Sequence, residues 1–284
     1  MNCALSKPLF KADLHCHTTF SDGTLSPEQL LELAAKSALS GIAITDHDTI
    51  EGLAPAIVAA KKMGIALGSG VEISTLHLGR SVHLLGYDFQ IDNSDLIAYL
   101  ALHKKSRTSR NFKMAEKLKA LGMPIDFDKL SEMESQKGST GRPHIAQLMI
   151  EKGYVSSVQQ AFNLYLAEGC SCFDSGRDFP FQEAIEIIHG SAGKAFLAHP
   201  HIFRERTFAY KLLDYLRAGC DGVECYYGTS AQHVERSWEE QAKRRGLLIS
   251  GGSDFHGAGK EYIRLGCRFV NETVFNQIFE KPLA

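Results

Sequence analysis

The sequence contains no apolar run that approaches the roughly 18 residues needed to span a membrane as a helix. Its first residues, MNCALSKPLFKADLHCH, lack the apolar core of a secretory signal peptide and the arginine-rich pattern of a transit peptide. These absences predict a cytoplasmic protein without a membrane segment.

Cysteine is also sparse, and most of its positions are far apart. The seven cysteines are odd in number and scattered, at positions 3, 16, 170, 172, 220, 225 and 267. Such spacing is a poor disulfide framework and is typical of a reducing compartment. Only Cys170 and Cys172 are close together, and a thiolate metal site normally needs two such pairs. We therefore interpret this pair as packing residues.

Neither sign of charge dominates the chain. It has 31 Lys and Arg against 33 Asp and Glu, a net charge of −2, which argues against a general polyanion binder. Residues 96–150 differ, with ten basic side chains against five acidic ones. One interpretation is a solvated helix face. The alternative is a basic lid beside a metal site.

Short apolar runs alternate with helix-length periodic segments, which is typical of βα units around a parallel sheet. Seven strands are predicted, over residues 10–17, 42–45, 65–74, 82–87, 195–198, 222–225 and 247–250. Helices are predicted to begin at Ser26, Thr49, Gln182, Thr207 and Ser230.

Residues 95–178 contain no convincing strand and are predicted to be mostly helical. A single α/β barrel of about 250 residues fits within a chain of 284. We therefore predict one barrel formed by residues 1–94 and 179–284, with residues 95–178 as a basic helical insertion that serves as a substrate lid.

Histidines and carboxylates gather at the ends of the predicted strands. His15 and His17 are two residues apart on the first strand, so they project from the same face. Asp22 follows in a Ser-Asp-Gly turn, and the second strand leads into Asp46-His47-Asp48. Active sites of parallel barrels lie at the carboxyl ends of the strands, so these side chains are expected to meet.

The later strands add five candidates. Glu72 is a carboxylate among apolar neighbours, and it would be costly to bury without a cation. His83 lies in the fourth strand, His199 follows the fifth, and Asp254 and His256 form a D-x-H pair after the last. Each has a simpler explanation, such as a core histidine or a helix cap.

Six strand ends that all finish in such residues favour a site for two or three divalent ions. Histidine and carboxylate without thiolate suit Mn, Fe or Zn better than Ca or Mg.

The chain resembles the PHP (polymerase and histidinol phosphatase) superfamily in six segments taken in order: DLHCHTTFSDG, ITDHDT, GVEIS, VHLLGY, AHP and GSDFH. The SDG turn, the helical insertion and the segment GRPHIA are similar to the branch that contains nucleoside 3′,5′-bisphosphate phosphatases and a 5′-to-3′ exoribonuclease. The resemblance implies a distorted seven-stranded (β/α) barrel with a trinuclear metal centre.

Carried over position by position, the resemblance implies nine metal ligands with Glu72 as the bridge: His15, His17, Asp22, His47, Glu72, His83, His199, Asp254 and His256. We assign catalytic roles to Glu72, Asp254 and His199. In relatives the insertion holds the substrate's phosphate, which implies binding roles here for Arg142, His144, Arg107 and Arg110.

One position departs from the pattern of the relatives, which often continue AHP with Gly-Arg. This chain has His201 after Pro200, so Arg204 or His201 is expected to replace that arginine.

The predicted reaction is attack on phosphorus by a hydroxide held between two metal ions. The expected substrate is a nucleotide or a short single-stranded RNA, with no obligatory protein partner. Two alternatives stay open: a small-metabolite phosphatase of the histidinol-phosphate type, and a catalytically idle PHP module that binds a partner.

Several other polar residues receive supporting roles. Asp46 and Asp48 are candidates for orienting the ligating imidazoles, with a helix cap as the alternative for Asp48. The remaining histidines are assigned to the surface or to packing: His77, His103, His189 and His233.

Overall fold

The fold is that of a computed structural model, which describes residues 9–203, 206–216, 219–260 and 262–284. Within these residues the strands are β1 (Ala12–Cys16), β2 (Gly41–Ile44), β3 (Ala66–Gly68), β4 (Gly70–His77), β5 (Arg80–Tyr87), β6 (Lys194–Leu197), β7 (Gly222–Tyr227) and β8 (Leu248–Gly252).

The helices of the same residues are α1 (Pro27–Lys36), α2 (Leu53–Met63), α3 (Ser94–Ala120), α4 (Phe127–Lys137), α5 (Arg142–Glu151), α6 (Val158–Ala161), α7 (Phe181–Gly190), α8 (Arg206–Leu216), α9 (Gln232–Arg245) and α10 (Glu272–Ile278).

The strands form two sheets, with the orders β1-β2-β3 and β4-β5-β6-β7-β8. The predicted strand over residues 65–74 is divided at Ser69, which places its halves in different sheets. β5 runs antiparallel to both β4 and β6, whereas the other pairings are parallel. The expectation of an entirely parallel sheet is therefore wrong at β5, because a tight hairpin joins it to β4. The assigned strands also do not form one closed seven-stranded barrel.

Backbone hydrogen bonds beyond the two sheets join their edges. Beside β1, the Asp254 N–H donates to the His15 carbonyl at 2.8 Å, and the His17 N–H donates to the Phe255 carbonyl at 2.9 Å. Beside β2, the Asp48 N–H donates to the Glu72 carbonyl at 2.9 Å. These bonds bring the carboxyl ends of strands from both sheets together.

Buried Asp13 stabilises the approach of β8 to β1. Its Oδ1 accepts hydrogen bonds from the His15 and Ser253 amides, and its Oδ2 accepts one from the Gly266 amide. A carboxylate that satisfies three buried amides compensates part of its own desolvation cost.

Residues of α3 to α6 form a separate apolar cluster that includes Met114, Leu118, Leu130, Ile145 and Met149. The described part of residues 95–178 contains helices and no assigned strand. After α6 the chain continues into a π-helical turn over Phe162–Leu166. The division into barrel and insertion stays a prediction.

The start of α1 agrees with the sequence. Ser26 is the N-cap, Pro27 is the first helical residue, and Gln29 completes a capping box. Helix α2 begins at Leu53, later than the predicted Thr49. Among the described residues, no helix has both the length and the apolar character that crossing a bilayer requires.

Gly252 should be essential for the contact between β8 and β1. A Cβ at this position would lie 2.6 Å from the Cβ of His15. We expect Gly252→Ala to reduce the free energy of unfolding in urea by about 1–3 kcal/mol, the usual cost of overpacking. Gly190→Ala is the control, because no atom beyond its chain neighbours and its own helix backbone lies within 4 Å of the added Cβ. Equal stability of the two variants would contradict this account of the contact.

Candidate metal centre

Glu72 lies at the centre of the histidine and carboxylate cluster. It is on β4 and is 1 % exposed. Five imidazole nitrogens surround its two oxygens: His83 Nδ1 at 2.7 Å and His199 Nε2 at 2.8 Å from Oε1, and His15 Nε2 at 3.1 Å, His17 Nε2 at 3.2 Å and His47 Nδ1 at 3.4 Å from Oε2. One carboxylate therefore has imidazoles on both sides.

Eight of the nine predicted ligands fall into three overlapping groups whose donor atoms lie within 4.8 Å of one another. The groups are His15, His17, Glu72 and Asp254; His47, Glu72 and His83; and His17, Asp22, His47 and His256. His199, the ninth, meets Glu72 as described above. The structure thus brings all nine residues into one neighbourhood.

Several of these close approaches between donor atoms are not hydrogen bonds. Such unpaired atoms show whether the cluster could hold a metal ion. His17 Nε2 lies 3.2 Å from Glu72 Oε2 and 3.3 Å from Asp254 Oδ1, yet it has no hydrogen-bond partner among the described residues. His47 Nδ1 and Asp22 Oδ1 are also buried, and they too have no hydrogen-bond partner among the described residues. Because buried polar atoms rarely stay unpaired, donor atoms that converge without hydrogen bonding fit shared cations.

The charges of the centre also suit a cation. Burial acts to raise the pKa of Glu72, Asp22 and Asp254, but neighbouring imidazoles outweigh it and hold all three pKa values well below their usual range. At Asp254 the Lys260 ammonium contributes most to this lowering. Burial lowers the pKa of His47 to about 3. The carboxylates are therefore anionic and His47 is neutral, which are forms that bind metals. At His15 and His17 neighbouring carboxylates outweigh burial and raise the pKa, well above its usual value for His15 and to about 9 for His17, so these rings must lose a proton to bind a metal.

Asp254 has two neighbours that the sequence analysis missed. Its Oδ1 faces His15 and His17, whereas its Oδ2 accepts hydrogen bonds from Tyr227 Oη at 2.8 Å and Lys260 Nζ at 2.6 Å. This division leaves one oxygen for the imidazole cluster. Neither Tyr227 nor Lys260 belongs to a recognisable motif.

Glu224 is a second residue that sequence reasoning missed. It is fully buried on β7, and its Oε1 lies 2.9 Å from His15 Nδ1. A signal was present, because an acid within the apolar run GVECYY is the same pattern that pointed to Glu72 in GVEIS.

The roles expected for Asp46 and Asp48 need correction. Asp46 accepts hydrogen bonds from the Thr18 amide, the Thr18 hydroxyl and the Ser21 hydroxyl, so it holds the turn that leads to Asp22. Asp48 has a positive φ of 55° and is not the cap of α2, whose N-cap is Gly52. Neither residue hydrogen-bonds directly to an imidazole of the cluster.

A cavity of about 380 Å³ adjoins the cluster. Its lining includes Asp22, His47 and His83 from the cluster, and Arg107, Arg110 and Arg142 from helices α3 and α5. Arg107 is fixed, because its Nε and Nη2 donate to Asp48 and Ser74. Imidazole and carboxylate donors therefore share one cavity with three guanidinium groups.

The other two arginines have no carboxylate at ion-pair distance among the described residues, although Asp174 acts electrostatically on Arg110 and Glu168 on Arg142. Arg110 hydrogen-bonds to the neutral side chain of Asn111, and burial together with Arg107 and Arg142 lowers its pKa to about 9. The Arg142 guanidinium lies 5.6 Å from the ring centres of Phe162 and Phe173, and no hydrogen bond or ion pair reaches it from any described side chain. The side of the cavity formed by Arg107, Arg110 and Arg142 therefore fits an anion.

Two further candidates for phosphate binding, His144 and His201, do not line this cavity. His144 Nδ1 accepts a hydrogen bond from the Gly141 N–H at the start of α5, and His144 is not among the described residues that line the cavity. His201 donates to the Cys225 carbonyl at 3.0 Å and stacks on Tyr227, also away from the lining. Arg204 lies outside the described residues.

The histidines assigned to the surface or to packing behave differently from one another. His103 is buried and stacks on Phe179 at 3.5 Å, and it also lines the cavity beside Asp48. His189 is partly exposed and pairs with Asp221. His77 packs near Phe181. Cys170 and Cys172 are free thiols, as expected for packing residues.

Comparison with known proteins agrees with this arrangement. The family model of the PHP domain matches residues 13–133. A 5′-3′ exoribonuclease of Haemophilus influenzae is 36 % identical over 248 residues, which cover 87 % of this chain and 90 % of that protein. The chain belongs to the PHP-domain family.

Other members of the family are similar over most of the chain. A 3′,5′-nucleoside bisphosphate phosphatase of Chromobacterium violaceum is 33 % identical over 250 residues, 87 % of this chain and 88 % of that protein. A solved structure from Bifidobacterium adolescentis, assigned as a metal-dependent phosphoesterase, superimposes with a TM-score of 0.86 at 31 % identity and covers 94 % of each chain. The predicted family is confirmed, and with it the general class of phosphoric ester hydrolase.

The fit of this PHP centre to cations predicts that metal stabilises the fold. We expect Mn²⁺ added to chelator-treated protein to raise the Tm, since a ligand at 100 times its Kd contributes about 2.7 kcal/mol to the folded state. In Glu72→Gln most of that rise should disappear, because Glu72 is shared by two of the three groups. Differential scanning calorimetry measures both. A full Mn²⁺-dependent rise in Glu72→Gln would contradict this view of Glu72.

Proposed function

We propose that this PHP protein is a metal-dependent phosphoesterase that hydrolyses 3′,5′-bisphosphorylated nucleotides and short RNA bearing a 5′ phosphate. The observation that carries this proposal is the shared cavity, in which His47, His83 and Asp22 face the same space as Arg107, Arg110 and Arg142. A substrate with two phosphate groups matches this cavity, because one phosphate can meet the histidine and carboxylate cluster while the other meets the arginines.

We also infer that the two sheets act as one distorted barrel around the centre. The hydrogen bonds beside β1 and β2 support this, since they link the edges of the sheets where the ligands lie. The three donor groups support two or three divalent ions, with Mn, Fe and Zn as the candidates. Residues 95–178 would then be the lid that carries the arginines.

The nine predicted ligands divide into three positions around Glu72. His15, His17 and Asp254 would hold one ion; His83 and His199 would hold a second; and Asp22, His47 and His256 would hold a third. Glu72 would bridge, since its two oxygens face different imidazoles. Ions bound there supply an acidified water and neutralise charge on phosphoryl oxygens.

The arginines provide binding rather than bond cleavage. Asp48 and Ser74 hold Arg107 in one orientation, and the rings of Phe162 and Phe173 hold Arg142. Fixed guanidinium groups match phosphate geometry with paired N–H donors and lose little freedom on binding. The second phosphate would thus orient the substrate so that its reacting phosphate meets the histidine and carboxylate cluster.

The alternatives receive less support. A catalytically idle module has no need for nine donors in one buried neighbourhood, because burying ionised groups is costly. A histidinol-phosphate type of substrate has one phosphate and leaves Arg110 and Arg142 without an anion. A cytoplasmic location agrees with the six described cysteines, which are all free.

Substrate preference tests the proposed function. With Mn²⁺ added, we expect phosphate release from 3′-phosphoadenosine 5′-phosphate and shortening of 5′-phosphorylated RNA oligomers, with kcat/KM at least about tenfold above that for histidinol phosphate, since one charged hydrogen bond contributes about 1.5–3 kcal/mol. Phosphate release and gel analysis measure these rates.

Glu72→Gln is the control for this comparison and should have no turnover of any substrate while keeping its far-ultraviolet circular dichroism. Faster hydrolysis of histidinol phosphate by the wild type would favour the small-metabolite alternative. Unchanged activity of Glu72→Gln would contradict the proposed site.

Two substitutions of Arg142 test whether it binds phosphate through its charge and through its planar guanidinium group. We expect Arg142→Ala to raise KM for the bisphosphorylated nucleotide about 10- to 100-fold with a smaller change in kcat, because it removes a charged contact to the distant phosphate. Arg142→Lys should recover part of the loss, since it restores charge without the planar fork. Lys119→Ala is the matched control on exposed α3 surface. A KM for Arg142→Ala equal to that of Lys119→Ala would contradict this role.

A further inference from the structure

Glu224 is a fully buried carboxylate that contacts two of the proposed ligands by different means. Its Oε1 lies 2.9 Å from the side-chain nitrogen Nδ1 of His15. Its Oε2 accepts a hydrogen bond of 2.7 Å from the backbone N–H of His199. Within the described residues no lysine or arginine is paired with it. These two contacts are the polar partners of its two oxygens among the described residues.

The contact with His15 bears on which nitrogen of that ring can bind a metal, because Nδ1 meets Glu224 and Nε2 meets Glu72. His15 Nε2 faces Glu72 Oε2 at 3.1 Å and Asp254 Oδ1 at 3.5 Å, so Nε2 is the atom directed at the cluster. A neutral ring that donates Nδ1–H to a carboxylate keeps its lone pair on Nε2. Carboxylates in this position orient metal-binding histidines and raise their basicity.

The contact with His199 acts on the backbone. His199 has φ 26° and ψ 56°, a conformation that side-chain-bearing residues rarely adopt, and a proline follows it. Such backbone strain persists only where surrounding contacts hold it. The hydrogen bond that the His199 N–H donates to Glu224 Oε2 is one such contact. It positions the ring whose Nε2 lies 2.8 Å from Glu72 Oε1.

The two contacts therefore lead to opposite sides of Glu72, because His15 meets Oε2 and His199 meets Oε1. We propose that Glu224 is a positioning residue that aligns the histidines of two metal positions at once. This inference rests on the proposed function, since it assigns Glu224 a role toward the ions that His15 and His199 would hold.

Replacing Glu224 by glutamine separates charge from shape. A glutamine can still accept from the His199 N–H, but its amide would then present N–H groups to His15 Nδ1. Either two donors meet, or the His15 ring adopts the other tautomer and carries its proton on Nε2, where a metal would bind. The substitution should therefore weaken metal binding with little change in packing.

The test measures Mn²⁺ binding rather than turnover. Full-length wild type, Glu224→Gln and Glu224→Asp are stripped with chelator and titrated with Mn²⁺ by calorimetry, and bound metal is counted by elemental analysis. We expect both variants to bind Mn²⁺ about 10- to 100-fold more weakly than wild type, the usual effect of losing such a partner. Glu224→Asp keeps the buried charge, so it provides a measurement if the glutamine variant folds poorly.

Glu235→Gln is the matched control. Glu235 is also buried, but it pairs with Arg268 and the Tyr227 amide and contacts none of the nine proposed ligands. We expect wild-type Mn²⁺ affinity in this variant. Equal losses in the Glu224 and Glu235 variants, or wild-type affinity in either Glu224 variant, would overturn the inference. Absence of Mn²⁺ binding by the wild type would instead overturn the proposed function.

Discussion

The burial of negative charge at the strand ends is the constraint on which the rest of this structure depends. Glu72, Asp254 and Glu224 are almost completely removed from water. Buried carboxylates are stable only where hydrogen bonds or positive charges compensate them. Imidazoles, amides and one ammonium group do so here, and the unpaired donor atoms between them leave places for cations. Fold and site are therefore consequences of the same electrostatic requirement.

This requirement explains the irregular features of the sheets. The hairpin that reverses β5 brings His83 opposite Ser74 of β4, which places its ring beside Glu72. Gly252 allows β8 to approach β1, so Asp254 and His256 reach His15 and His17. The deviations from regular βα geometry lie where the proposed ligands meet.

The nine candidate ligands were predictable because they lie in or just after apolar strands, where structure alone gives little reason for polarity, and because they match the motifs of the family that the sequence resembles. Most strands and the capping box of α1 were predictable from local patterns for similar reasons. The direction of β5 was not, because an apolar strand reads the same in either direction and hairpin turns need only two residues. The supporting contacts of Tyr227 and Lys260 depend on tertiary approach, so no local pattern revealed them. The phosphate-binding role of His144 stays a prediction, and its hydrogen bond with the Gly141 N–H shows that a histidine at a helix start can also cap the backbone.

The central claim is that Glu72 is shared between metal ions. Anomalous diffraction at the manganese edge from crystals grown with Mn²⁺ tests it most directly. The account predicts one peak within bonding distance of Glu72 Oε1, beside His83 and His199, and another within bonding distance of Oε2, beside His15, His17 and Asp254. Peaks that leave both oxygens of Glu72 without a metal, or no peak within this cluster, would contradict it.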